Sequence, residues 1–326
     1  MTDLKLKILA AVKSDLASIE TALAEHLNPN FELVTKVAGH ILFAGGKRLR
    51  PLLMILSARL CGYKGTDAAK FSIIFEYLHA ATLLHDDVVD GGEVRRGAVS
   101  AHHAWDPPTA VLTGDFLLAR ALSLAALTGS ADVIDAIASI TEQMSQGEIE
   151  QMARKGDVSL DQEAYMEVIR CKTAVLFEGA CKVGALINGS SHDQVDKLAR
   201  FGHHLGIAFQ MADDLLDYTL DTEVLGKKVG ADLREGKMTL PLIHALSIAE
   251  AKDRSWIIDL IQSDDFSIQQ FKRLIDLLSQ YGALDHTRQC ASEHIHAAKS
   301  VLADFSDVPE RSILEDIADY ALIRRA

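Results

Sequence analysis

An apolar repeat of three to four residues runs through most of this 326-residue chain and constrains its fold more than any other feature. It is clearest at 66–90, 109–128, 131–153, 161–188 and 193–220, with glycine or asparagine between several of these segments. Alternating apolar and polar runs joined by tight hairpin turns, which would indicate a sheet, are missing. The pattern therefore predicts an all-α chain of about ten or more helices.

The sequence contains no evident linker, and we predict one helical domain over residues 1–326. The segment FSIIFEYLHAATLLHDD is apolar on nearly every side, which is typical of a helix at the centre of a bundle. The chain is 48% hydrophobic, which is ample for a large buried core.

Composition excludes several classes of protein. The net charge of -13 argues against a nucleic-acid binder, which usually has a basic surface. The cysteines Cys61, Cys171, Cys181 and Cys290 form no CxxC pair, so neither a disulfide framework nor a zinc site is expected. The N-terminus does not resemble a signal peptide, and no stretch of about 18 residues is uninterruptedly apolar. We predict a soluble, cytoplasmic protein.

Two aspartate clusters stand out against this apolar background. LLHDDVVDGG carries Asp86 and Asp90, and MADDLLDY carries Asp213 and Asp217, each pair four residues apart and so on one helix face. A single such cluster could be a solvated or capped helix end. Two copies on long apolar helices favour hard-cation binding, and Mg²⁺ typically combines one or two carboxylates with substrate phosphates and water. The clusters therefore predict a phosphorylated substrate held between them.

Further polar and basic side chains fit that prediction. His79 and Gln210 lie on the same helix faces as the aspartates of their segments. GGKRLRP provides a glycine-rich helix entry, where backbone N–H groups and the helix dipole favour anions. Within short motifs, the cations predicted to meet phosphate are Lys47, Arg50, Arg95, Arg96, Lys172, Lys227 and Lys237.

Other basic residues are interpreted as having no role at the site. Arg48, Lys228 and Arg234 are expected to be ordinary solvated residues. His85 and the pairs His102–His103 and His203–His204 are expected to be ordinary histidines.

Six motifs of this chain, in this order, resemble those of the trans-isoprenyl (polyprenyl) diphosphate synthases of the long-chain type. They are GGKRLRP, HDDVVD with RRG, GDFLLARAL, KTA, GIAFQMADDLLD and GKKVGADLREGK. The resemblance covers about residues 40 to 245. It implies an all-α bundle around a deep central cavity, a homodimer, and elongation of an allylic diphosphate by isopentenyl diphosphate. Membrane contact would be at most peripheral, through the lipid product.

The resemblance also implies roles for individual residues. The metal ligands would be Asp86, Asp90 and Asp213, holding three Mg²⁺ ions, with support from Asp87, Asp214 and Asp217. The allylic diphosphate would be contacted by Arg95, Lys172, Thr173, Gln210, Lys227 and Lys237. Isopentenyl diphosphate would be held by Gly46, Lys47, Arg50, His79 and Arg96. The catalytic set would be Asp86, Asp90, Asp213, Lys172 and Lys237.

Product length is predicted from the residues that precede the first cluster. Ala81 and Thr82 are small, whereas a bulky aromatic there would end the growing chain early, as in short-chain members of the family. We therefore expect a long polyprenyl product of the kind used in quinone side chains. Leu78, one turn earlier, is a second candidate for the floor of the cavity.

The chain departs from the family pattern at Gly91–Gly92 and at WDPPTAV, both in connecting segments. Two alternatives also remain. A class I terpene cyclase or a head-to-head synthase would share the helical fold but would not need GGKRLRP and RRG. A catalytically silent partner subunit would be expected to have lost aspartates, and here both clusters are complete.

Overall fold

The computed structural model describes residues 3–27, 29–95, 97–219, 230–263 and 265–323. It is almost entirely helical, which confirms the all-α prediction. The helices within the described residues are α1 Asp3–Ala11, α2 Lys13–Leu27, α3 Glu32–Leu42, α4 Leu49–Leu60, α5 Ala68–Val89, α6 Ala101–Ala104, α7 Pro107–Leu127, α8 Ala131–Ala153, α9 Gln162–Ile169, α10 Val175–Ile187, α11 His192–Thr219, α12 Ala231–Arg234, α13 Leu240–Ile248, α14 Ala251–Ile261, α15 Ile268–Gln280, α16 Ala283–Leu302 and α17 Pro309–Ile323.

Two short features interrupt the helices. A π-helical turn, Arg170–Ala174, joins α9 to α10. Strands β1 Val94–Arg95 and β2 Ala98–Val99 pair antiparallel just after α5. The sequence did not indicate this hairpin, because two-residue strands are too short to show an alternating pattern.

The chain divides into two compact units. The first comprises Met1–Thr141, Leu176–Gly202 and Val301–Asp316, and the second comprises Glu142–Val175, His203–Ser300 and Ile317–Ala326. The division into two units does not test the prediction of one domain over residues 1–326, which stays a prediction.

Helix α5 forms the core of the first unit. It packs against α2, α3, α4 and α7, and its residues Phe71–Leu78 are all buried. The apolar character on nearly every side of this segment is therefore explained by neighbours on several sides. Gly184 allows α10 to lie against α4, since a Cβ there would stand 2.4 Å from the carbonyl oxygen of Met54.

In the second unit, α13 packs against α9, α14 and α15. Side-chain caps fix where two of these helices begin. The carboxylate of Asp161 accepts the backbone N–H of Ala164 at 2.9 Å at the start of α9. Ser267 and Gln270 form a reciprocal capping box at the start of α15.

Helix α7 is long enough and apolar enough to cross a membrane, judged by length and composition alone. Core helices of soluble proteins meet the same criterion, and 39% of its most apolar stretch is buried. The finding therefore does not by itself assign α7 to a membrane.

Candidate functional site

The first aspartate cluster lies at the C-terminal end of α5. Asp86 and Asp87 belong to the last turn, and Asp90 is the C-cap. Gly91 follows with φ 66, and the N–H of Gly92 donates to the carbonyl of Asp87 at 3.1 Å. This is the left-handed helix ending for which glycine is favoured. The departure at Gly91–Gly92 therefore serves to stop α5 immediately after Asp90.

Asp87 is engaged with the hairpin that follows α5. Its side chain is 3% exposed, and its Oδ1 accepts the Nε–H of Arg95 at 2.9 Å in an ion pair. Arg95 lies on β1, so the pair ties this hairpin to the end of α5. Within the described residues, Oδ2 of Asp87 is buried without a hydrogen-bond partner. One oxygen of the Asp87 carboxylate therefore binds the Arg95 cation, and the other lacks a hydrogen-bond partner within the described residues.

The other predicted residues of α5 precede the cluster. His79 and Thr82 are half-buried, and the Thr82 hydroxyl donates to the His79 carbonyl at 3.0 Å. Ala81 and Leu78 are fully buried. His85 lies against α7, with Nε2 3.1 Å from the carbonyl oxygen of Val111, in keeping with an ordinary structural histidine.

The second departure is explained at the start of α7. Asp106 is the N-cap, its carboxylate accepts the N–H of Thr109 at 2.7 Å, and Pro107 is the first helical residue. Proline at that position costs no hydrogen bond, because the first N–H groups of a helix lack an intrahelical partner. WDPPTAV is thus a helix start.

The GGKRLRP segment leads into α4. Gly46 and Lys47 are exposed, and the Arg50 guanidinium lies over the ring of Phe177, 4.7 Å from its centroid. The expectation that Arg48 is solvated is wrong. Its side chain is only 3% exposed and forms ion pairs of 2.6 Å with Glu20 and Glu76.

In the second unit, one chain of hydrogen bonds connects the second cluster to the KTA motif. The Thr173 hydroxyl donates to Oε1 of Gln210 at 2.8 Å, and Nε2 of Gln210 donates to Oδ1 of Asp214 at 2.7 Å. The hydroxyl of Tyr165 donates to Oδ2 of Asp214 at 2.6 Å. Both oxygens of this buried carboxylate therefore have a fixed donor.

The two outer aspartates of this cluster have different surroundings. Asp213 is half-buried on α11. Asp217 accepts the backbone N–H groups of Ala231 and Asp232 at 3.1 and 3.2 Å, so it caps the start of α12. The capping contact joins α11 to the segment that carries Lys237.

Both described lysines of this site are held by acceptors. Lys172 lies in the π-helical turn, and its ammonium is 2.5 Å from Glu148 and 2.7 Å from Gln151. Lys237 forms an ion pair with Glu235 and lies 3.8 Å from Asp232. π-helical turns occur frequently at functional sites. Both lysines line the same cavity as Asp214 of the second cluster.

Burial shifts the pKa values of the carboxyl groups here. Loss of hydration raises the pKa of Asp214 to about 6, although the hydrogen bonds from Tyr165 and Gln210 oppose this. Burial, followed by the nearby charge of Asp214, raises the pKa of Asp232 to about 8. Burial also raises the pKa of Asp217. Carboxylates packed this closely would be stabilised by additional positive charge.

Asp214 and Asp232 line a cavity of about 90 Å³ within the second unit. Its polar lining consists of Gln151, Arg154, Tyr165, Lys172, Thr173, Gln210, Asp214, Asp232, Lys237 and Thr239. Of the sequence-predicted residues, five therefore share one cavity: Lys172, Thr173, Gln210, Asp214 and Lys237. The first cluster, His79 and the GGKRLRP residues belong to the first unit. Arg96 and Lys227 lie outside the described residues.

Sequence reasoning missed several residues of the site. Tyr165, Glu148, Gln151 and Asp232 contact the predicted residues directly. Asp232 lies within the GADLREGK motif, so proximity to Lys237 could have drawn attention to it. The other three carried no signal, because their partners are distant in the sequence.

The carboxylates of the two aspartate clusters suit a divalent metal ion, although they do not form a complete set of ligands around one. Within the described ranges, no group of three or more His, Cys, Asp or Glu side chains is arranged to hold a metal ion. The sites nevertheless offer hard oxygen donors, raised carboxyl pKa values and an unsatisfied buried oxygen on Asp87. Since Mg²⁺ takes few protein ligands and completes its shell with phosphate and water, the residues fit such an ion when a diphosphate is bound.

Comparison with known proteins supports the same interpretation. Residues 31–278 match the Polyprenyl synthetase family. The chain is 36% identical to octaprenyl diphosphate synthase of Escherichia coli over 98% of both chains. It is 35% identical to a short chain isoprenyl diphosphate synthase of Methanothermobacter thermautotrophicus, over 90% of this chain and 91% of the other.

A solved structure extends the likeness to the fold. The crystal structure of a polyprenyl synthase from Caulobacter crescentus, complexed with calcium and isoprenyl diphosphate, matches with a TM-score of 0.92 and 38% identity. The match covers 98% of this chain and 97% of that one. The family uses divalent metal ions and isoprenyl diphosphate substrates. The chain therefore belongs to the polyprenyl synthetase family and is a chain-elongating prenyltransferase.

Proposed function

We propose that this enzyme condenses isopentenyl diphosphate with an allylic diphosphate such as farnesyl diphosphate in a Mg²⁺-dependent reaction that yields a long all-trans polyprenyl diphosphate. The observation that carries the proposal is the cavity in which Asp214, held by Tyr165 and Gln210, lies with Lys172 and Lys237. Carboxylates and ammonium groups at one cavity suit a metal–diphosphate ligand, which offers both positive and negative charge.

Ionisation of the allylic diphosphate requires that charge on the leaving group be neutralised. Asp86, Asp90 and Asp213 would hold three Mg²⁺ ions. Asp87, Asp214 and Asp217 would support this metal binding. Bound Mg²⁺ supplies Lewis-acid stabilisation of the departing diphosphate. Around it, Lys172, Lys237, Lys227 and Arg95 would donate to the diphosphate oxygens, and Thr173 and Gln210 would complete the contacts.

The second substrate would be bound at the GGKRLRP turn. Lys47 and Arg50, with His79 and Arg96, would contact the diphosphate of isopentenyl diphosphate, and Gly46 would allow the backbone to approach it. The double bond of this substrate attacks the allylic carbocation, and a proton is then lost. No side chain of the motifs is an evident base, so the departing diphosphate is the proposed acceptor of that proton.

Product length is proposed from the small residues of α5. Relatives that make long and short chains are almost equally similar to this chain, so overall identity favours neither. Ala81 and Thr82 precede Asp86 by about one turn and would leave space for the growing chain. Leu78 is a candidate for the next constriction. A long product would suit quinone side chains.

The proposed assembly is a homodimer in the cytoplasm, with at most peripheral membrane contact through the lipid product. Helix α7 carries exposed apolar side chains, with Leu112 67%, Leu122 44% and Leu127 64% exposed. Exposed large apolar side chains on an otherwise core-forming helix favour a subunit interface. The four cysteines are unpaired, which suits a reducing compartment.

Incubation with labelled isopentenyl diphosphate, farnesyl diphosphate and Mg²⁺, with and without EDTA, tests this proposal. We expect Mg²⁺-dependent incorporation of label into a polyprenyl diphosphate, and its loss in Asp86→Asn and Asp213→Asn. Lack of incorporation by the purified wild-type protein would contradict the proposal and favour a silent partner subunit. Cyclic or head-to-head products from the allylic substrate alone would favour the other alternative.

A further inference from the structure

The turn that begins α4 contains an uncommon backbone conformation. Arg48 has φ 47 and ψ 33, and among the described non-glycine residues it alone has a positive φ. In this region the Cβ of an L-residue crowds the following carbonyl oxygen, so surrounding contacts must stabilise it.

The Arg48 side chain supplies such contacts. Its Nε donates to Glu20 of α2 at 2.6 Å, and its Nη1 donates to Glu76 of α5 at 2.6 Å. Its Nη2 donates to the carbonyl oxygen of Leu42, the last residue of α3, at 2.6 Å. One guanidinium thus connects the turn to three helices.

This arrangement depends on an arginine. The planar guanidinium donates in several fixed directions at once, whereas a lysine ammonium is a flexible point charge. The side chains of Arg48 and Glu76 are 3% and 6% exposed, so water screens their attraction weakly. Loss of Arg48 would therefore leave the buried carboxylate of Glu76 without its partner.

The position of Arg48 relates it to substrate binding. Arg48 lies between Lys47 and Arg50, so its backbone angles set how these two side chains are presented relative to each other. Glu76, its partner on α5, is three residues before His79 and therefore on a neighbouring surface of that helix.

We propose that Arg48 is a positioning residue for isopentenyl diphosphate. Its buried guanidinium, bonded to Glu20, Glu76 and the Leu42 carbonyl, holds the left-handed turn that aligns Lys47 and Arg50 for the diphosphate. The inference rests on the proposed function, in which Lys47 and Arg50 bind that substrate.

The test compares Arg48→Lys and Arg48→Gly with a control, Arg59→Met. Arg48→Lys keeps the charge and loses the fork, while Arg48→Gly removes the guanidinium but readily adopts a positive φ. Arg59 also joins α4 to α2, through a 2.6 Å ion pair with Asp15, and lies at the far end of α4. Glu76→Gln is a milder variant that keeps the acceptor oxygen if the others fold poorly.

The measurements are the two KM values, each at saturation of the other substrate, and the melting temperature. Both Arg48 variants are expected to raise the KM for isopentenyl diphosphate by about tenfold or more, since small misplacements of binding groups are costly. The KM for farnesyl diphosphate should change by less than about twofold, and Glu76→Gln should show a smaller rise in the first KM. Arg59→Met should lower the melting temperature and leave both KM values unchanged.

Three results would overturn the inference. In the first, the Arg48 variants lose thermal stability but keep both KM values unchanged, which is the behaviour expected of Arg59→Met. Both KM values could rise alike, or Arg48→Gly could behave as wild type, in which case the turn alone would suffice. A wild-type protein that fails to elongate would refute the proposed function itself, whereas elongation with unaltered Arg48 variants would refute only the role of Arg48.

Discussion

The hydroxyl of Tyr165 provides a sharp test of the second aspartate cluster. Tyr165→Phe removes one oxygen atom and with it the 2.6 Å hydrogen bond to Oδ2 of Asp214. Asp214 is 4% exposed, so water cannot readily replace the lost donor. Gln210 would still donate to Oδ1 at 2.7 Å, but the carboxylate could then rotate about that remaining contact.

The size of the effect follows from the nature of the bond. A hydrogen bond to a charged group contributes about 1.5–3 kcal/mol. At about 1.4 kcal/mol for each factor of ten, kcat/KM for the allylic diphosphate should fall by about 10- to 150-fold. The Mg²⁺ concentration needed for half-maximal activity should also rise, because misorientation of the carboxylate weakens metal binding.

Steady-state assays with titrated farnesyl diphosphate and Mg²⁺ measure this effect. The matched control is Tyr77→Phe, since the Tyr77 hydroxyl is also buried and donates to the Leu23 carbonyl at 3.1 Å. That variant should lose about 1 kcal/mol of stability and keep its kinetics. If Tyr165→Phe matched wild type in kcat/KM and Mg²⁺ dependence while Asp214→Asn was inactive, the network would have no part in orienting Asp214.

Two further predictions concern product length and pH. Ala81→Phe should shorten the product, because the ring would occupy space next to the first cluster. The chain lengths of the products that the variant still forms are measured, and an unchanged chain length would refute the prediction. Burial and the neighbouring His204 lower the pKa of His294 to about 4, so the unfolded state binds more protons below about pH 6.5 and stability falls as pH falls. Between pH 7.5 and 5.5 this should remove on the order of 1 kcal/mol of unfolding free energy, with allowance for the partial solvent exposure of His294. Denaturant titration measures the loss, which His294→Gln should abolish, and equal pH dependence in both proteins would contradict the prediction.

The sequence predicted the helices well because each contributes its own apolar repeat. The segments 66–90 and 109–128 correspond closely to α5 and α7, and the two aspartate clusters lie on α5 and α11 as expected. The π-helical turn at Arg170–Ala174 and the hairpin after α5 could not be predicted, because neither has a characteristic pattern over so few residues.

The contacts that organise the site were beyond sequence reasoning for a different reason. Glu20 and Glu76 each lie 28 residues from Arg48, and Tyr165 lies 49 residues from Asp214. Only tertiary packing brings such pairs together. A basic residue in a glycine-rich segment therefore resembled a solvated arginine, although Arg48 is buried between two carboxylates.

Mass analysis of the products formed from farnesyl diphosphate, excess isopentenyl diphosphate and Mg²⁺ tests the central claim most directly. A long-chain elongating enzyme is expected to add several five-carbon units and release an all-trans polyprenyl diphosphate well beyond geranylgeranyl diphosphate, with no reaction in EDTA. Recovery of unextended farnesyl diphosphate would contradict chain elongation, and a product that ends after one addition would contradict the long chain predicted from Ala81 and Thr82.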